Sequence, residues 1–235
     1  MATGKIFLIP SFISPAETKN DLPATAISKI LELDVFVVEE IKTARRFLRR
    51  TGYVKDFTEV TFHVLNEHTD PADIADYLTS PKNGKDIGII SEAGLPCIAD
   101  PGSELVMLAH RSGIRVVPLS GSGSIFLALM ASGLNGQKFT FHGYLIIDKS
   151  KRRSVLRELE SEIRKSHYTQ VFIETPYRNM QLFESILSAC SDDLQLCIAC
   201  NLASEEEFIT TKSIAQWKKE KPDLDKKPAV FLLNI

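Results

Sequence analysis

GKDIGIISEAGLPCIADPG (84–102), SELVMLAHRSG (103–113) and IRVVPLSGSGSIFLALMASGL (114–134) form the continuous stretch whose reading decides the fold. Residues 84–94 read as a short apolar strand running into a glycine turn. Residues 103–113 have a helical period and a glycine stop at Gly113, where a left-handed residue ends a helix without steric cost. Residues 114–124 repeat the pattern of strand into Gly/Ser turn, and 125–134 is an apolar helix expected to be buried on most sides. Strand, helix, strand, helix is the signature of an α/β layer with parallel pairing, because a parallel return needs a crossover.

The alternation extends in both directions. IFLIP (6–10) reads as a strand feeding the irregular loop SFISPAETKND, followed by a helix at ATAISKILEL and a strand at DVFVVEE (34–40). TARRFLRRTG (43–52) and DPADIADYLTS (70–80) read as helices. In the second half, KFTFHGYL alternates as a strand and KSKRRSVLRELESEIRKS (149–166) is a long charged helix. TQVFIETP (169–176), LQLCIACNL (194–202) and PAVFLLNI (228–235) are further strands. We therefore expect two α/β domains, 1–118 and 119–235, with substantial parallel pairing.

Composition narrows the class. With 44% hydrophobic and 25% charged residues over 235 positions, the chain has enough apolar mass for two cores and no compositional sign of disorder. No apolar run reaches the ~18 residues of a membrane span. MATGKIFLIPSFIS lacks the long apolar segment and small-residue cleavage site of a signal peptide, so a cytoplasmic location is expected. A net charge of −2 gives no overall drive toward nucleic acid. Two local basic runs remain: Lys42 with Arg45, Arg46, Arg49 and Arg50, and Lys149 with Lys151, Arg152, Arg153 and Arg157. Each is read either as a phosphate contact or as a solvated helix face, and the interspersed Glu158, Glu160 and Glu162 favour the latter for the second run. Of the four cysteines, Cys197 and Cys200 are spaced like half a zinc site. On a strand, residues three apart point to opposite faces, so no metal site is expected.

Three strand-to-turn junctions concentrate small residues: 91–102, 118–124 and 174–178. In open α/β sheets, ligands bind outside the carboxyl ends of strands, and small residues there admit a ligand to the backbone. GSGS at 121–124 is not a dinucleotide fingerprint, since the third glycine and the downstream acidic residue are missing. It is not a phosphate loop either, lacking Gly-Lys-Ser/Thr.

SEAGLPCIADPG followed by PLSGSGSIFLALMASGL resembles two adjacent signatures of the tetrapyrrole-methylase superfamily. Within it, the chain is most similar to the ribosomal small-subunit RNA 2′-O-methyltransferases that modify a cytidine, whose loop is SDAGTPxISDPG-like and whose turn is PLPGPSA-like. VEEIKTARRFL (38–48) matches that family's AEDTR…TRxLL, FHVLNE (62–67) loosely matches YHEHNE, and FIETPYR (172–178) matches FYESPHR. Departures fall at PSFISP in place of PTPIGN, and at Glu92, Leu95, Glu40, Lys42 and Leu65.

The resemblance implies a methyltransferase fold with an S-adenosylmethionine cleft between its two α/β domains, and a homodimer. Carried over position by position, the cofactor contacts fall on Ile13, Leu95, Pro96, Ile98, Ser124 and Ile125, then on Phe172, Ile173, Ala199, Asn201 and Ala229. The acceptor implied is ribosomal small-subunit RNA at a ribose 2′-hydroxyl. A small acidic molecule such as a tetrapyrrole precursor, or a cofactor-binding protein without turnover, are the alternatives. A hydroxyl acceptor calls for a general base. Glu39, Glu40, His63, Glu92 and Glu174 are the candidates, with Glu92 first because it lies in the cofactor loop.

Overall fold

The computed structural model describes residues 3–235, which fall into two compact units divided between Gly123 and Ser124. In the first unit, strands β1 (Ile6–Ile9), β2 (Val35–Val38), β3 (Thr61–Val64), β4 (Ile87–Ile90) and β5 (Val116–Pro118) form one sheet in the order β3-β2-β4-β1-β5. Every pairing in it is parallel. The inner strands read IFLI, VFVV and IGII because both faces are covered, which leaves no polar side to alternate with.

Alternate residues of each strand feed different cores. Phe7, Ile9, Phe36, Val38 and Ile90 pack with helix α1 (Ala24–Glu32) and helix α2 (Ile41–Arg50). Ile6, Val35, Val37, Ile87 and Ile89 pack on the other side. Their partners come from the short helix α3 (Pro71–Ile74), the 3-10 turn that links it to helix α4 (Thr79–Lys82), and helix α5 (Ser103–Arg111). The expected single helix over 70–80 is thus three short pieces, Pro71–Ile74, Ala75–Leu78 and Thr79–Lys82.

The second unit holds β6 (Phe139–Tyr144), β7 (Thr169–Ile173), β8 (Gln195–Cys200), β9 (Phe208–Ser213) and β10 (Ala229–Asn234), in the order β6-β7-β10-β8-β9. Only β6–β7 is parallel; the other three pairings are antiparallel. Parallel pairing is therefore confined to the first unit and one edge of the second. LCIAC and AVFLLN read as parallel strands because they are buried on both faces, a property that burial and not strand direction confers.

Helices α7 (Lys149–Ser166) and α8 (Asn179–Ala189) cover one face of this sheet, meeting Phe172, Ile198, Phe231 and Leu233, with Trp217 of the short helix α9 (Ile214–Trp217) in the same core. Helix α6 (Ser124–Ala131) packs near β10. It buries Ile125, Ala128 and Leu129, while Phe126 and Met130 are 47% and 80% exposed. The expectation of a helix buried on most sides is corrected accordingly.

Beneath the carboxyl end of β7 lies a buried ionic cluster. Glu174 accepts from Thr175 N at 2.7 Å and from Arg178 Nη2 at 2.6 Å, and its second oxygen stands 3.9 Å from Arg152 Nη1. Arg152 also donates to Ser185 Oγ at 3.2 Å, tying the first turn of α7 to α8. Removing the carboxylate leaves the buried Arg152 guanidinium without a counter-charge, so Glu174→Ala should lower unfolding free energy by about 3–5 kcal/mol, read from the denaturant midpoint. A loss under about 1 kcal/mol would show the cluster to be solvated.

Candidate active site

The topology of the first sheet singles out one place. The chain leaves β1 for β2 on one side and leaves β4 for β5 on the other, and β1 and β4 are neighbours. Helices from these strands depart in opposite directions, opening a crevice at their carboxyl ends. The loops that flank it are 10–18 and 91–102, with 118–123 following β5.

These loops are tied together directly. Ser11 N donates to Gly94 O at 2.8 Å and Gly94 N returns to Ser11 O at 3.2 Å, a bridge across the crevice floor. Ser11 Oγ donates to Ser91 O at 2.7 Å, and Ser91 Oγ closes on Gly94 O at 2.7 Å. Gly94 has φ +78°, and a Cβ there would stand 3.2 Å from Ile13 Cγ2. A Cβ on Gly121 would come within 2.4 Å of the Pro10 ring. Gly94 is required by its left-handed conformation and Gly121 by the close approach of Pro10. Cys97 and Ala99 are left-handed at φ 67° and 59°, a strained geometry that concentrates at ligand-holding loops. Between them Ile98 is 44% exposed.

Glu17 organises the first loop. Its buried carboxylate accepts from Ile13 N at 2.6 Å, Ser14 N at 3.0 Å and Ser122 Oγ at 3.2 Å. Arg50 closes the same loop from α2, donating to Pro15 O at 3.0 Å and to Glu17 O while lying 4.4 Å over the Phe12 ring. The Ile13 amide is thereby taken, leaving its side chain and carbonyl for a ligand.

Carboxyl groups gather behind the 91–102 loop. Asp100 shares a recess with Glu39, Leu65 and Ser91, and its Oδ2 is buried without a hydrogen-bond partner. Burial, and then the negative charges of Glu39 and Glu92, push Asp100 up to about 6. Glu39 is raised by burial, then by Glu92 and Glu67. Asp100 lies inside the loop quoted first above, yet nothing in its local pattern marks it. The signal is Glu39 arriving from the end of β2, a proximity that only the sheet order creates.

The remaining sequence candidates separate. Glu92 is exposed and accepts from Thr43 Oγ1 at 2.6 Å, linking the loop to α2. Glu40 caps α2, accepting from Lys42 N at 2.9 Å and Thr43 N at 2.6 Å; these amides hold its carboxyl below the usual range. His63, on edge strand β3, stacks at 4.8 Å on Tyr77, and burial lowers its pKa. Glu174 is locked between guanidiniums in the second unit.

In the first unit, Leu95 is half-buried and Pro96 buried, both in the strained loop. In the second unit, Ser124 opens α6 and Ile125 packs beneath it. Ile173 and Ala199 each pair with Val230 and share a sheet face. Phe172 and Ala229 belong to the opposite, helix-covered core, so only their backbone groups are open to a ligand. Asn201 is left-handed at φ 51°, its N donating to Pro228 O at 3.0 Å. It borders a recess of about 220 Å³ lined also by Glu206, Phe208, Asp223 and Lys227. Cys197 and Cys200 are buried free thiols, Cys200 in the helix-covered core and Cys197 outside it.

A parallel sheet with a loop-lined switch point, joined to a mostly antiparallel α/β unit, defines the architecture of a class of methyltransferases. Among solved structures the chain is similar to the methyltransferase CobJ, with a TM-score of 0.64 and 15% identity, covering 99% of this chain and 94% of that one. It is also similar to the cobalamin biosynthetic enzyme cobalt precorrin-4 methyltransferase, CbiF, with a TM-score of 0.61 and 13% identity over 98% and 94%. The family described as Tetrapyrrole (Corrin/Porphyrin) Methylases matches residues 18–217, and this chain belongs to it. Relatives include "Ribosomal RNA small subunit methyltransferase I" of Bacillus subtilis strain 168, 30% identical over 92% of this chain and 71% of that protein. The protein of the same name from Haemophilus influenzae is 27% identical over 99% of this chain and 79% of its own length. Among the described residues, no helix is long and apolar enough to cross a membrane.

Asp100 binds a proton more tightly when folded than when unfolded, between its ordinary 3.8 and about 6. Its contribution therefore declines as pH rises through that window and stays lost above it. Asp100→Asn should raise Tm by about 2–4 °C at pH 7.5 and by less near pH 4.5. An equal gain at both pH values, in a calorimetric pH series, would show that ionisation is not the cause.

Proposed function

We propose that the chain transfers a methyl group from S-adenosylmethionine to ribosomal RNA at a ribose 2′-hydroxyl. The observation that carries this is the 91–102 loop, which is strained, closes on the switch point and holds a carboxyl at about 6. The loop suits that cofactor: glycine approach at Gly94 and Gly121, apolar surface at Ile98, Leu95 and Pro96, and no phosphate to neutralise. In this reading Ile13 and those loop residues hold the cofactor from the first unit. In the second unit, the resemblance marks Ser124, Ile125, Ile173, Ala199 and Asn201, with the backbone at Phe172 and Ala229, as cofactor-contact positions.

When bound, the cofactor supplies a methyl already activated on a sulfonium. The protein's task is then alignment, for which about 7–11 kcal/mol is available from positioning alone. Asp100, ionised above about 6, accepts the proton of the acceptor hydroxyl, and Glu39 beside it keeps that carboxyl basic enough to do so. Glu92, our first candidate from sequence, instead fixes the loop to α2 through Thr43.

The relatives named for ribosomal RNA favour an RNA acceptor. A small polycarboxylate such as a tetrapyrrole precursor would place its own anionic groups against Glu39, Glu92 and Asp100, whereas a ribose presents a neutral hydroxyl there.

Two variants separate binding from chemistry. Ile98→Asp, at an exposed position of the same loop, should weaken cofactor binding at least tenfold by calorimetry while leaving Tm unchanged. Asp100→Asn should keep cofactor affinity and lower methyl transfer to unmodified small ribosomal subunits by roughly 10²–10⁴-fold. In the parent protein, kcat/KM should rise with pH through about 6. Full activity of Asp100→Asn rejects Asp100 as the base, and label entering a tetrapyrrole precursor but not RNA rejects the acceptor.

A further inference from the structure

The two basic runs of the sequence meet different fates in the fold. On α2, Arg45 lies 5.3 Å over both Phe57 and Phe62, and Arg49 lies 4.1 Å over Phe57 while donating to Tyr53 O at 2.6 Å. Arg50 is fixed on the first loop. Three of the four arginines of α2 are thus engaged within the chain, and only Lys42 and Arg46 face solvent uncommitted.

Helix α7 is arranged otherwise. Its buried side is Arg152, Leu156, Leu159 and Ile163. Lys149, Arg153 and Arg157 are exposed and recur every fourth residue, so successive side chains stand ~40° apart around the axis and form one stripe. Among the described residues, the ion pairs of α7 are Arg152 with Glu174, and Arg164 with Glu160 and Asp193; the stripe takes part in none of them. Glu160, on the same flank, is spent on Arg164 and on Ser191 N. At ~100° per residue, Glu158 and Glu162 fall on the other flank with Lys151 and Lys165. The glutamates that made this helix read as a mixed, solvated face therefore leave one side of it cationic.

Apolar and aromatic groups adjoin the stripe. Tyr144, Ile146 and Ile147 are exposed in the segment that runs from β6 into α7, and Tyr177 is exposed in the turn after β7. Because β6 and β7 are parallel and Tyr144 registers with Ile173, both tyrosines lie at the same strand ends from which α7 begins.

We propose that the Lys149–Arg153–Arg157 stripe, together with Tyr144 and Tyr177, is the RNA-docking surface of this protein. The inference rests on the RNA reading above and deepens it. The stripe is ~12 Å long, enough to lie against a short run of backbone phosphates. Exposed tyrosines at its end are stacking platforms for unpaired bases, which is how sequence-specific RNA sites are commonly read.

The test is binding to deproteinised small-subunit ribosomal RNA between about 50 and 200 mM salt. Lys149→Ser/Arg153→Ser/Arg157→Ser should make the slope of log K against log salt shallower by about 2, with cofactor affinity and Tm unchanged. Tyr177→Ala should weaken RNA binding roughly tenfold while leaving the slope intact, because stacking releases no counterions. A triple variant with the parental slope overturns the surface while leaving the RNA reading in place. Absence of salt-dependent RNA binding by the parent overturns both. A triple variant that alters only the sedimentation of the protein assigns the stripe to contact between copies and overturns the proposal. Unaltered affinity in Tyr177→Ala removes the stacking component.

Discussion

The paired hydrogen bonds between Ser11 and Gly94 are the constraint on which the first unit's site depends. Two loops leaving neighbouring parallel strands diverge to opposite faces of the sheet, and nothing in the strands themselves brings the loops back together. The two-residue bridge does so, and the hydroxyls of Ser11 and Ser91 satisfy the carbonyls that the turn exposes. Gly94 is then confined by the Ile13 side chain and Gly121 by Pro10. A floor fixed in this way allows strain to persist at Cys97 and Ala99, since a loop free to relax would leave those left-handed positions.

Asp100 shows how the same floor shapes chemistry. Its carboxyl is half-withdrawn from water and set among like charges, an arrangement that lowers stability at neutral pH and raises proton affinity at once. Sites of this kind give up folding free energy for a matched pKa. The contrast with Glu174 is instructive. That carboxyl is buried more deeply, yet Thr175 N and Arg178 satisfy one of its oxygens and the Arg152 guanidinium faces the other at 3.9 Å, so it acts as an anchor between α7 and α8.

Much of the first unit was legible in sequence, and the reasons are local. Doubly buried strands such as IFLI and VFVV, the stop at Gly113 and the glycine turns each state their conformation within a few residues. Strand direction in the second unit was not legible, since LCIAC is equally apolar whether its neighbours run with it or against it. FITTKS (208–213) escaped because it is a half-buried edge strand with no apolar run. Phe126 and Met130 were misjudged because a helix that is apolar at every position after Ser124 carries no periodic sign of which side meets solvent. The resemblance located the cofactor loop, but Asp100 gains its meaning from Glu39, 61 positions earlier in the chain, and sheet order alone makes them neighbours.

The guanidiniums of α2 carry a consequence for how this helix tolerates change. A planar cation lying on Phe12 or Phe57 while its N–H groups reach carbonyls uses shape as much as charge. Lysine would conserve the formal charge and lose both functions. Drift between the two basic residue types, ordinarily among the most permissive exchanges on a protein surface, should therefore be closed at Arg49 and Arg50 and open at Arg46 on the same helix.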